Sequence, residues 1–368
     1  MKIALVTPGG FDRSGTERVL PVFLSLVERL ARCHEVHVIT LNQSPQPDRY
    51  TLLGATIHNI GYRRVKRRAL RQAPQTLRLI SEEHRRGHFD AIHGLWASES
   101  GLIAALCGRR LGVPTVVTVA GGELVALPGI DYGSQLRPGS RLIVSAALRL
   151  AGTVTCATEY MARSVRPRRT DVQVVPLGVD CDLFSPPDTP RIGPPWRLLH
   201  VASLNRVKDQ PTLLRAFARI LAQEPTARLD IVGVDTLQGD IQRLTDTLQL
   251  ESAVAFHGFE TSAQVAARLK RSDLLLHSSL SEAGPIVFLE AASSGVPTVG
   301  TAVGHIADLA PSAAVAVPIG DAEALAQAAV EILRAPERRQ EIACRALDFA
   351  RRHDADYTAE QFEMLYQN

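Results

Sequence analysis

Hydrophobic positions along this chain alternate between short β-branched runs and longer stretches with helical spacing. In the first half, residues 15–31 and 98–111 have apolar side chains at helical periodicity, with strand-like runs around them. The predicted strands are residues 3–7, 35–40, 56–60, 90–93, 115–119 and 153–157. Strands that alternate with helices predict βαβ units in a parallel, doubly wound sheet.

The same alternation restarts in the second half, after a proline-rich stretch at residues 185–195 whose composition marks a linker. Six more strands are predicted at residues 197–202, 228–232, 253–257, 273–278, 297–300 and 314–317, and helices at 337–353 and 357–366. We therefore expect two Rossmann-like α/β domains, residues 1–182 and 183–353, that face a cleft. Ligands of such sheets bind beyond the carboxyl ends of the strands.

The composition fits a globular protein. Of 368 residues, 45% are hydrophobic and 21% are charged, and the formal net charge is +3. No apolar run reaches the length of a membrane span, and the first predicted strand is too short for a secretory signal. Five scattered cysteines without Cys-x-x-Cys spacing predict no zinc site and favour the reducing cytosol.

Two glutamates in the second half give the strongest chemical signal. Pro285 suits the first turn of a helix, so Glu282 lies in the loop before it and Glu290 lies roughly 7.5 Å along it. Backbone N–H groups at the start of a helix lack intrahelical partners, and with the helix dipole they form an anion site. The residues around this start are Gly284, Pro285, Ile286 and Val287.

An anion site between two carboxylates implies a ligand with hydroxyls on both sides of its charge. A nucleotide sugar fits, because sugar hydroxyls lie on one side of its pyrophosphate and ribose hydroxyls on the other. The spacing of Glu282 and Glu290 alone has an alternative interpretation, in which one glutamate is a charge at the helix N-terminus and the other is a surface charge. The segment from Ser278 to Pro297 resembles the Glu-x7-Glu motif of retaining glycosyltransferases of family 4, the group 1 transferases.

This resemblance runs along most of the chain, and its most specific parts lie in the second half. It implies the GT-B fold, an α/β architecture of two Rossmann-like domains, with the last helix, about residues 354–368, packed back on the first. It also implies transfer of a hexosyl group from a nucleotide-diphosphate sugar to a hydroxyl acceptor, with retention of anomeric configuration. The donor would bind mainly the second domain and the acceptor mainly the first.

The resemblance also implies roles for residues of the second domain. Residues 200–209 resemble the pattern Val-Gly-Arg-Leu-x-x-x-Lys-Gly, in which the arginine and lysine stabilise the leaving diphosphate. Lys208 matches the lysine, but Ser203 stands at the arginine position. Arg206 is the candidate for the missing charge, with a solvated loop residue as the alternative.

The other donor contacts follow from the same resemblance. Glu290 would hold the ribose hydroxyls and Glu282 the hydroxyls of the sugar. The donor would also contact strand-end glycines at Gly233 and Gly258, and the Gly-Gly loop that ends at Gly10.

The acceptor would contact Gly15, His93 and Glu123 in the first domain. Ala120 stands where the family often has histidine. A plain tight turn is the alternative for the glycine loop, and a hydrogen-bonded core histidine is the alternative for His93.

No metal or other cofactor is expected. Asp180 and Asp182 form an Asp-x-Asp string, as do Asp354 and Asp356, but the first matches an interdomain string of the family and the second suits a helix start.

The region from Arg63 to Arg71 has six basic residues in nine positions. It predicts either a solvated helix face or a patch that contacts an anionic membrane or acceptor. Sparse aromatic residues argue against nucleic acid.

The sequence therefore predicts a cytoplasmic glycosyltransferase, with a possible peripheral contact at the inner face of the membrane. The acceptor would be a saccharide or a lipid-linked saccharide of the bacterial envelope or of an exopolysaccharide. Two alternatives remain: an epimerase-like GT-B enzyme that uses the same donor, and a non-catalytic nucleotide-sugar binder, which Ser203 and Ala120 suggest.

Overall fold

The described chain folds into two compact units. A computed structural model describes residues 1–62, 68–189 and 193–367, with residues 68–71 described by their backbone only. One unit comprises Met1–Leu177 with Ala355–Asn368, and the other comprises Gly178–Asp354. The sequence placed the first boundary after residue 182 and expected the last helix, from about residue 354, to join the first domain.

The first unit is built around an eight-stranded sheet. Its strands are β1 (Lys2–Thr7), β2 (Glu35–Thr40), β3 (Asp48–Leu52), β4 (Ala55–Asn59), β5 (Ala91–Leu95), β6 (Thr115–Val119), β7 (Thr153–Cys156) and β8 (Gln173–Val174). They run in the order β3-β4-β2-β1-β5-β6-β7-β8, and only the β3–β4 pair is antiparallel. Every residue of β1 is buried, as expected for a central strand covered on both faces.

Helices connect these strands. They are α1 (Pro21–Ala31), α2 (Arg68–Arg86), α3 (Glu99–Leu111), α4 (Pro138–Leu150) and α5 (Glu159–Val165). The expectation that α1 begins near residue 15 is wrong, because Gly15 and Arg18 have positive φ angles that a helix excludes. The helix begins instead at Pro21, whose fixed φ suits its first position.

The second unit has a six-stranded, fully parallel sheet. Its strands are β9 (Arg197–Val201), β10 (Arg228–Val232), β11 (Val254–Gly258), β12 (Leu274–His277), β13 (Thr298–Thr301) and β14 (Val315–Val317), in the order β11-β10-β9-β12-β13-β14. The helices are α6 (Gln210–Gln223), α7 (Asp240–Thr247), α8 (Ser262–Leu269), α9 (Ile286–Ser293), α10 (Gly304–Leu309), α11 (Ala322–Arg334) and α12 (Pro336–Arg352). Apolar clusters around Phe217 and Phe288 form its core.

The last helix, α13 (Ala355–Tyr366), packs in the first unit against α1. Its Asp356 carboxylate accepts a hydrogen bond from Arg29 Nε at 2.8 Å, and Phe362 is fully buried. Two parallel-sheet units confirm the predicted fold class. No helix in the described ranges is both long and apolar enough to cross a bilayer.

Candidate active site

The most complete group of predicted site residues lies within the second unit, where the strand order reverses. Strands β9 and β12 are neighbours, but the chain proceeds outward from them in opposite directions. The loops that follow two such strands diverge, and the crevice between them is the usual ligand site of a doubly wound sheet. Lys208 follows β9 and Glu282 follows β12, so the two side chains flank this crevice.

Hydrogen bonds connect the two loops. Lys208 ends a 3₁₀ turn, and its N–H lies 3.3 Å from the side-chain oxygen of Asn205. From the other loop, Ser278 Oγ donates to the carbonyl of Lys208 at 2.8 Å, and the N–H of Leu280 donates to the carbonyl of Val207 at 2.8 Å. These bonds fix the backbone on which both charged side chains are mounted.

Lys208 and Glu282 form an ion pair, with Lys208 Nζ 2.5 Å from Glu282 Oε1. The same carboxylate oxygen accepts a hydrogen bond from Ser279 Oγ at 2.8 Å, and His277 Nε2 lies 3.6 Å away. Burial opposes ionisation of Glu282, but Lys208 and His277 outweigh it and lower its pKa to about 2. Glu282 is therefore a carboxylate at neutral pH.

The start of α9 supplies backbone donors next to this pair. The helix begins at Ile286, so Pro285 is the residue before the helix and not part of its first turn as predicted. The amides of Gly284, Ile286 and Val287 have no hydrogen-bond acceptor in the described parts of the chain. These donors and the positive end of the helix dipole favour an anion here.

A glycine in the neighbouring helix allows close packing on this segment. Gly304, at the start of α10, has a φ of 51°, and a Cβ there would lie 2.6 Å from Cδ of Pro285. Any larger residue would push the segment before α9 away from its present position.

Glu290 lies in the second turn of α9 and is half-buried. Its carboxyl group makes no hydrogen bond or ion pair with any residue in the ranges described. Burial alone raises its pKa to about 7. An unpaired, partly exposed carboxyl is suited to hydroxyl groups of a ligand, which could supply the missing donors.

The two strand-end glycines meet at the same edge of the sheet. The N–H of Gly233 donates to the carbonyl of Gly258 at 2.7 Å. Gly233 has a φ of 146°, and a Cβ there would overlap the carbonyl of Ala202. Phe259 and Val234 follow them with exposed side chains, 51% and 49% accessible. At this edge of the sheet, two glycines without side chains therefore lie next to two exposed apolar side chains.

Arg206 lies on the same 3₁₀ turn as Lys208, with an exposed side chain. Its guanidinium contacts no acidic group among the residues described. Arg206 is therefore near Lys208, and its role as the second cation for the diphosphate stays a prediction.

In the first unit, the glycines are placed in turns. The amide of Gly10 donates to Gln43 Oε1 at 2.7 Å, so this donor is already used inside the protein. A Cβ at Gly10 would overlap the side chain of Leu20, which explains the glycine by packing. Gly15 has a φ of 68° in a turn before α1. Neither position offers a free backbone donor comparable to those at α9.

His93 is fully buried, and both of its ring nitrogens are engaged. Nδ1 lies 2.7 Å from the Tyr366 hydroxyl, and Nε2 lies 2.7 Å from Thr118 Oγ1. Burial lowers the pKa of His93 to about 3. This geometry favours the core-histidine alternative over acceptor binding.

Glu123 is also buried, and its carboxylate organises a loop. Its oxygens accept hydrogen bonds from the amides of Gly121, Ala120 and Ala97 at 2.6, 3.0 and 3.1 Å. Burial raises the pKa of Glu123, although these amides act in the opposite direction. In this structure its contacts are with its own backbone, which favours a structural role.

Two residues behind Glu282 escaped the sequence reasoning. His277 ends β12 and Ser279 follows it, and both are buried beside the carboxylate. A histidine at the end of an otherwise apolar strand, two residues before a serine and five before the glutamate, was the available signal.

One aspartate of each Asp-x-Asp string makes contacts within the protein. Asp180 Oδ1 accepts the amides of Asp182 and Leu183 at 3.0 and 3.2 Å, and Asp356 pairs with Arg29. No group of three or more metal-ligating side chains occurs in the described ranges.

A separate polar cavity of about 320 Å³ contains none of the predicted site residues. Arg197, Asp230 and Arg268 are among its lining residues. It is therefore distinct from the crevice that carries Lys208 and Glu282.

Two family models together cover most of the chain. The model of glycosyl transferases group 1 matches residues 185–348, and that of the glycosyl transferase 4-like domain matches residues 19–178. The first match contains the whole Lys208–Glu282–Glu290 arrangement. The chain belongs to the group 1 glycosyltransferases with the GT-B fold.

Two curated relatives are similar to this chain at low sequence identity. An N-acetyl-alpha-D-glucosaminyl L-malate synthase of Bacillus anthracis is 26% identical over 97% of this chain and 93% of its own length. A D-inositol 3-phosphate glycosyltransferase of Arthrobacter sp. strain FB24 is 25% identical over 69% of this chain. That match spans 65% of the Arthrobacter protein.

Solved structures share the fold along the whole chain. A sucrose-phosphate synthase from Thermosynechococcus elongatus has a TM-score of 0.83 at 20% identity, with 100% of this chain and 98% of that one covered. Anabaena HepE, solved with UDP and glucose, has a TM-score of 0.76 at 16% identity, with 99% of each chain covered. At these identities the likeness concerns the fold.

Proposed function

We propose that this protein transfers a hexosyl group from a nucleotide-diphosphate sugar to a hydroxyl acceptor, with retention of anomeric configuration. One observation carries the proposal: a lysine, a carboxylate and free helix-start amides converge at the switch point, with the unpaired Glu290 one turn beyond. A donor diphosphate would accept from Lys208 and from the amides. Its ribose hydroxyls would donate to Glu290, and the sugar hydroxyls to Glu282.

In this proposal, the bond between the anomeric carbon and the diphosphate oxygen breaks while the acceptor hydroxyl approaches the same face. The acceptor oxygen bonds to the anomeric carbon, and its proton passes to the departing diphosphate. Lys208 and the α9 amides neutralise charge that grows on the leaving group, which is where such a site gains most of its rate. No side chain need form a covalent intermediate.

A panel of nucleotide sugars tests donor binding. We expect a cognate donor at 100 times its Kd to stabilise the protein by about 2.7 kcal/mol. UDP-sugars are the first choice, since HepE was solved with UDP and with UDP-glucose. Free sugars and nucleosides are the controls. A panel that leaves the melting temperature unchanged at millimolar concentrations would contradict the proposal.

Product analysis separates transfer from its two rivals. A transferase releases nucleoside diphosphate in proportion to added acceptor, whereas an epimerase interconverts donor sugars without acceptor. A binder releases nothing, so slow donor hydrolysis that disappears in Glu282→Ala would argue against it. In this proposal Lys208 neutralises charge that grows on the leaving diphosphate, which is a role that a simple binder does not need.

Activity should persist in excess EDTA. Lysine and helix-start amides would neutralise the diphosphate, so no divalent ion is needed in this proposal. Initial rates with and without EDTA check this, with a Mg²⁺-dependent glycosyltransferase as the positive control. Complete loss of activity that Mg²⁺ or Mn²⁺ restores would require a metal site, and Asp180 and Asp182 would become the candidate ligands.

The acceptor is proposed to be a lipid-linked saccharide of the bacterial envelope, reached by peripheral contact at the cytoplasmic face of the membrane. The basic residues 63–67 lie outside the described residues, and the side chains of 68–71 are not described. Arg78, Arg85 and Arg86 are exposed further along α2, although Arg78 pairs with Glu82 and Arg86 with Glu83. Each such residue near an anionic surface is worth about 1 kcal/mol.

Vesicle co-sedimentation tests this contact. We expect binding that requires anionic lipid and weakens at high salt. Changing Arg63, Arg64, Arg67 and Arg68 to Ser should reduce it strongly. The matched control changes four exposed arginines of α12, Arg338, Arg345, Arg351 and Arg352, to Ser. If both variants lose vesicle binding equally, the attraction is nonspecific and depends only on net charge. If the wild-type protein does not bind at low salt, a soluble acceptor is favoured.

A further inference from the structure

His277 occupies an unusual position behind the proposed site. It ends β12, whose other residues are Leu274, Leu275 and Leu276, and it is 2% exposed. Its Nδ1 is buried without a hydrogen-bond partner in the described chain. Its Nε2 lies 3.3 Å from Ser279 Oγ and 3.6 Å from Glu282 Oε1.

The distances define a direction for the hydrogen bonds. Ser279 Oγ donates its proton to Glu282 Oε1 at 2.8 Å, so its oxygen is left to accept from the Nε2–H of His277. This tautomer leaves Nδ1 as a buried acceptor without a donor, which destabilises the fold. A leucine at this position would avoid that cost. The favourable contact of the His277 ring is therefore the hydrogen bond that its Nε2–H donates to Ser279 Oγ.

The backbone around this chain of hydrogen bonds is tightly packed. A Cβ at Gly300 on β13 would lie 2.7 Å from both Cβ and the carbonyl oxygen of His277, so glycine allows the two strands to approach closely at this residue. Thr301 Oγ1 donates to the carbonyl of Ser279 at 2.7 Å. Both ends of the His277–Ser279 segment are thus held by the neighbouring strand, independently of Lys208.

During the proposed reaction Glu282 needs a second partner, because its ion pair with Lys208 would be disrupted. Glu282 now bonds Lys208, but a bound diphosphate would attract the ammonium away from the carboxylate. Glu282 would then keep one protein partner, the Ser279 hydroxyl, while it accepts sugar hydroxyls. A carboxylate whose only other partner can leave needs a fixed donor to remain in position.

We infer that His277, acting through Ser279, is a positioning residue that holds Glu282 against the donor sugar when Lys208 moves to the diphosphate. This inference rests on the proposed function and adds two residues to it. It assigns His277 no contact with substrate. It predicts that loss of His277 impairs turnover while nucleoside diphosphate binding persists.

The test compares His277→Leu, His277→Gln and Ser279→Ala in the full chain. Misplacement of a reacting group can cost on the order of 10²-fold in rate, so His277→Leu and Ser279→Ala should lower kcat by roughly that factor. His277→Gln retains an N–H near Nε2 and should recover most of the rate. The Kd for UDP, or for the diphosphate of the donor found in the panel, should change less than about threefold, because UDP lacks the sugar. Thr298→Val, which removes a buried hydroxyl on β13, is the control for nonspecific core damage.

A second arm uses coupling to Glu282. In a Glu282→Gln background, His277→Leu should have no further effect on kcat, because residues that act through one group are not additive. Full kcat in His277→Leu, or equal losses of kcat and UDP binding, would overturn the inference. So would an undiminished effect in the Glu282→Gln background. If Glu282→Gln itself remains fully active, the proposed function fails instead, which separates the two failures.

Discussion

Replacing Lys208 by alanine should lower kcat by a factor of about 10²–10³, with a much smaller change in the KM for donor. Lys208 supplies the positive charge of the ion pair in the crevice, with its Nζ 2.5 Å from Glu282 Oε1. Charge on the leaving diphosphate grows toward the transition state, so an ammonium there stabilises the transition state more than the bound donor. Steady-state kinetics with varied donor measure the two parameters separately.

The control for this change is Lys270→Ala, which removes an exposed lysine of the same unit that makes no ion pair with a described residue. A rise in KM alone would make Lys208 a docking residue. If Lys208→Ala is silent and Arg206→Ala is inactive, the leaving-group charge belongs to Arg206. Because Lys208 helps to keep the pKa of Glu282 at about 2, its removal should also reduce the stability that Glu282 contributes above pH 4.5.

The fold followed from the sequence because its signals are local. Each of the twelve predicted strands has a counterpart, since central strands of a parallel sheet are continuous apolar runs. Two strands were missed for different reasons. The edge strand β3 is mostly polar, and β8 has only two residues. The start of α1 was misplaced because a turn with positive φ angles preceded Pro21.

The site was only partly accessible from the sequence. Glu282, Glu290 and the α9 start lie within one motif, so their spacing defines them. The ion pair joins residues 74 positions apart, and no spacing rule connects those. His93 and Glu123 illustrate the opposite case, since the structure shows that Tyr366 engages His93 and that backbone amides, including the distant one of Ala97, engage Glu123. His277 is a different case, because its contact with Ser279 is local in the sequence and the histidine that ends an apolar strand was a signal that went unused.

Replacing Glu290 by alanine should weaken nucleoside diphosphate binding by about 1.5–3 kcal/mol, or roughly tenfold to 150-fold in Kd. The expected cause is the loss of hydrogen bonds from ribose hydroxyls to a carboxylate that has no described partner in the protein. Calorimetric titration measures the Kd, and circular dichroism confirms that the variant folds. Glu323→Ala, at an acidic residue in the first turn of α11, is the matched control. An unchanged Kd in Glu290→Ala would remove Glu290 from the donor site.

Glu290 should also make binding and stability depend on pH near neutrality. Its folded pKa of about 7 lies above the ordinary 4.5, so the folded state holds this proton more tightly than the unfolded state does. Relative to Glu290→Gln, wild-type stability should therefore fall as the pH rises from about 4.5 through 7, by on the order of 3 kcal/mol. Diphosphate affinity should change in the opposite direction and rise with pH, because the ionised carboxylate accepts both ribose hydroxyls. Thermal melts and titrations of both proteins at pH 5 and pH 8 check the two trends. Parallel curves for wild type and Glu290→Gln would show that this carboxyl is not the group that titrates.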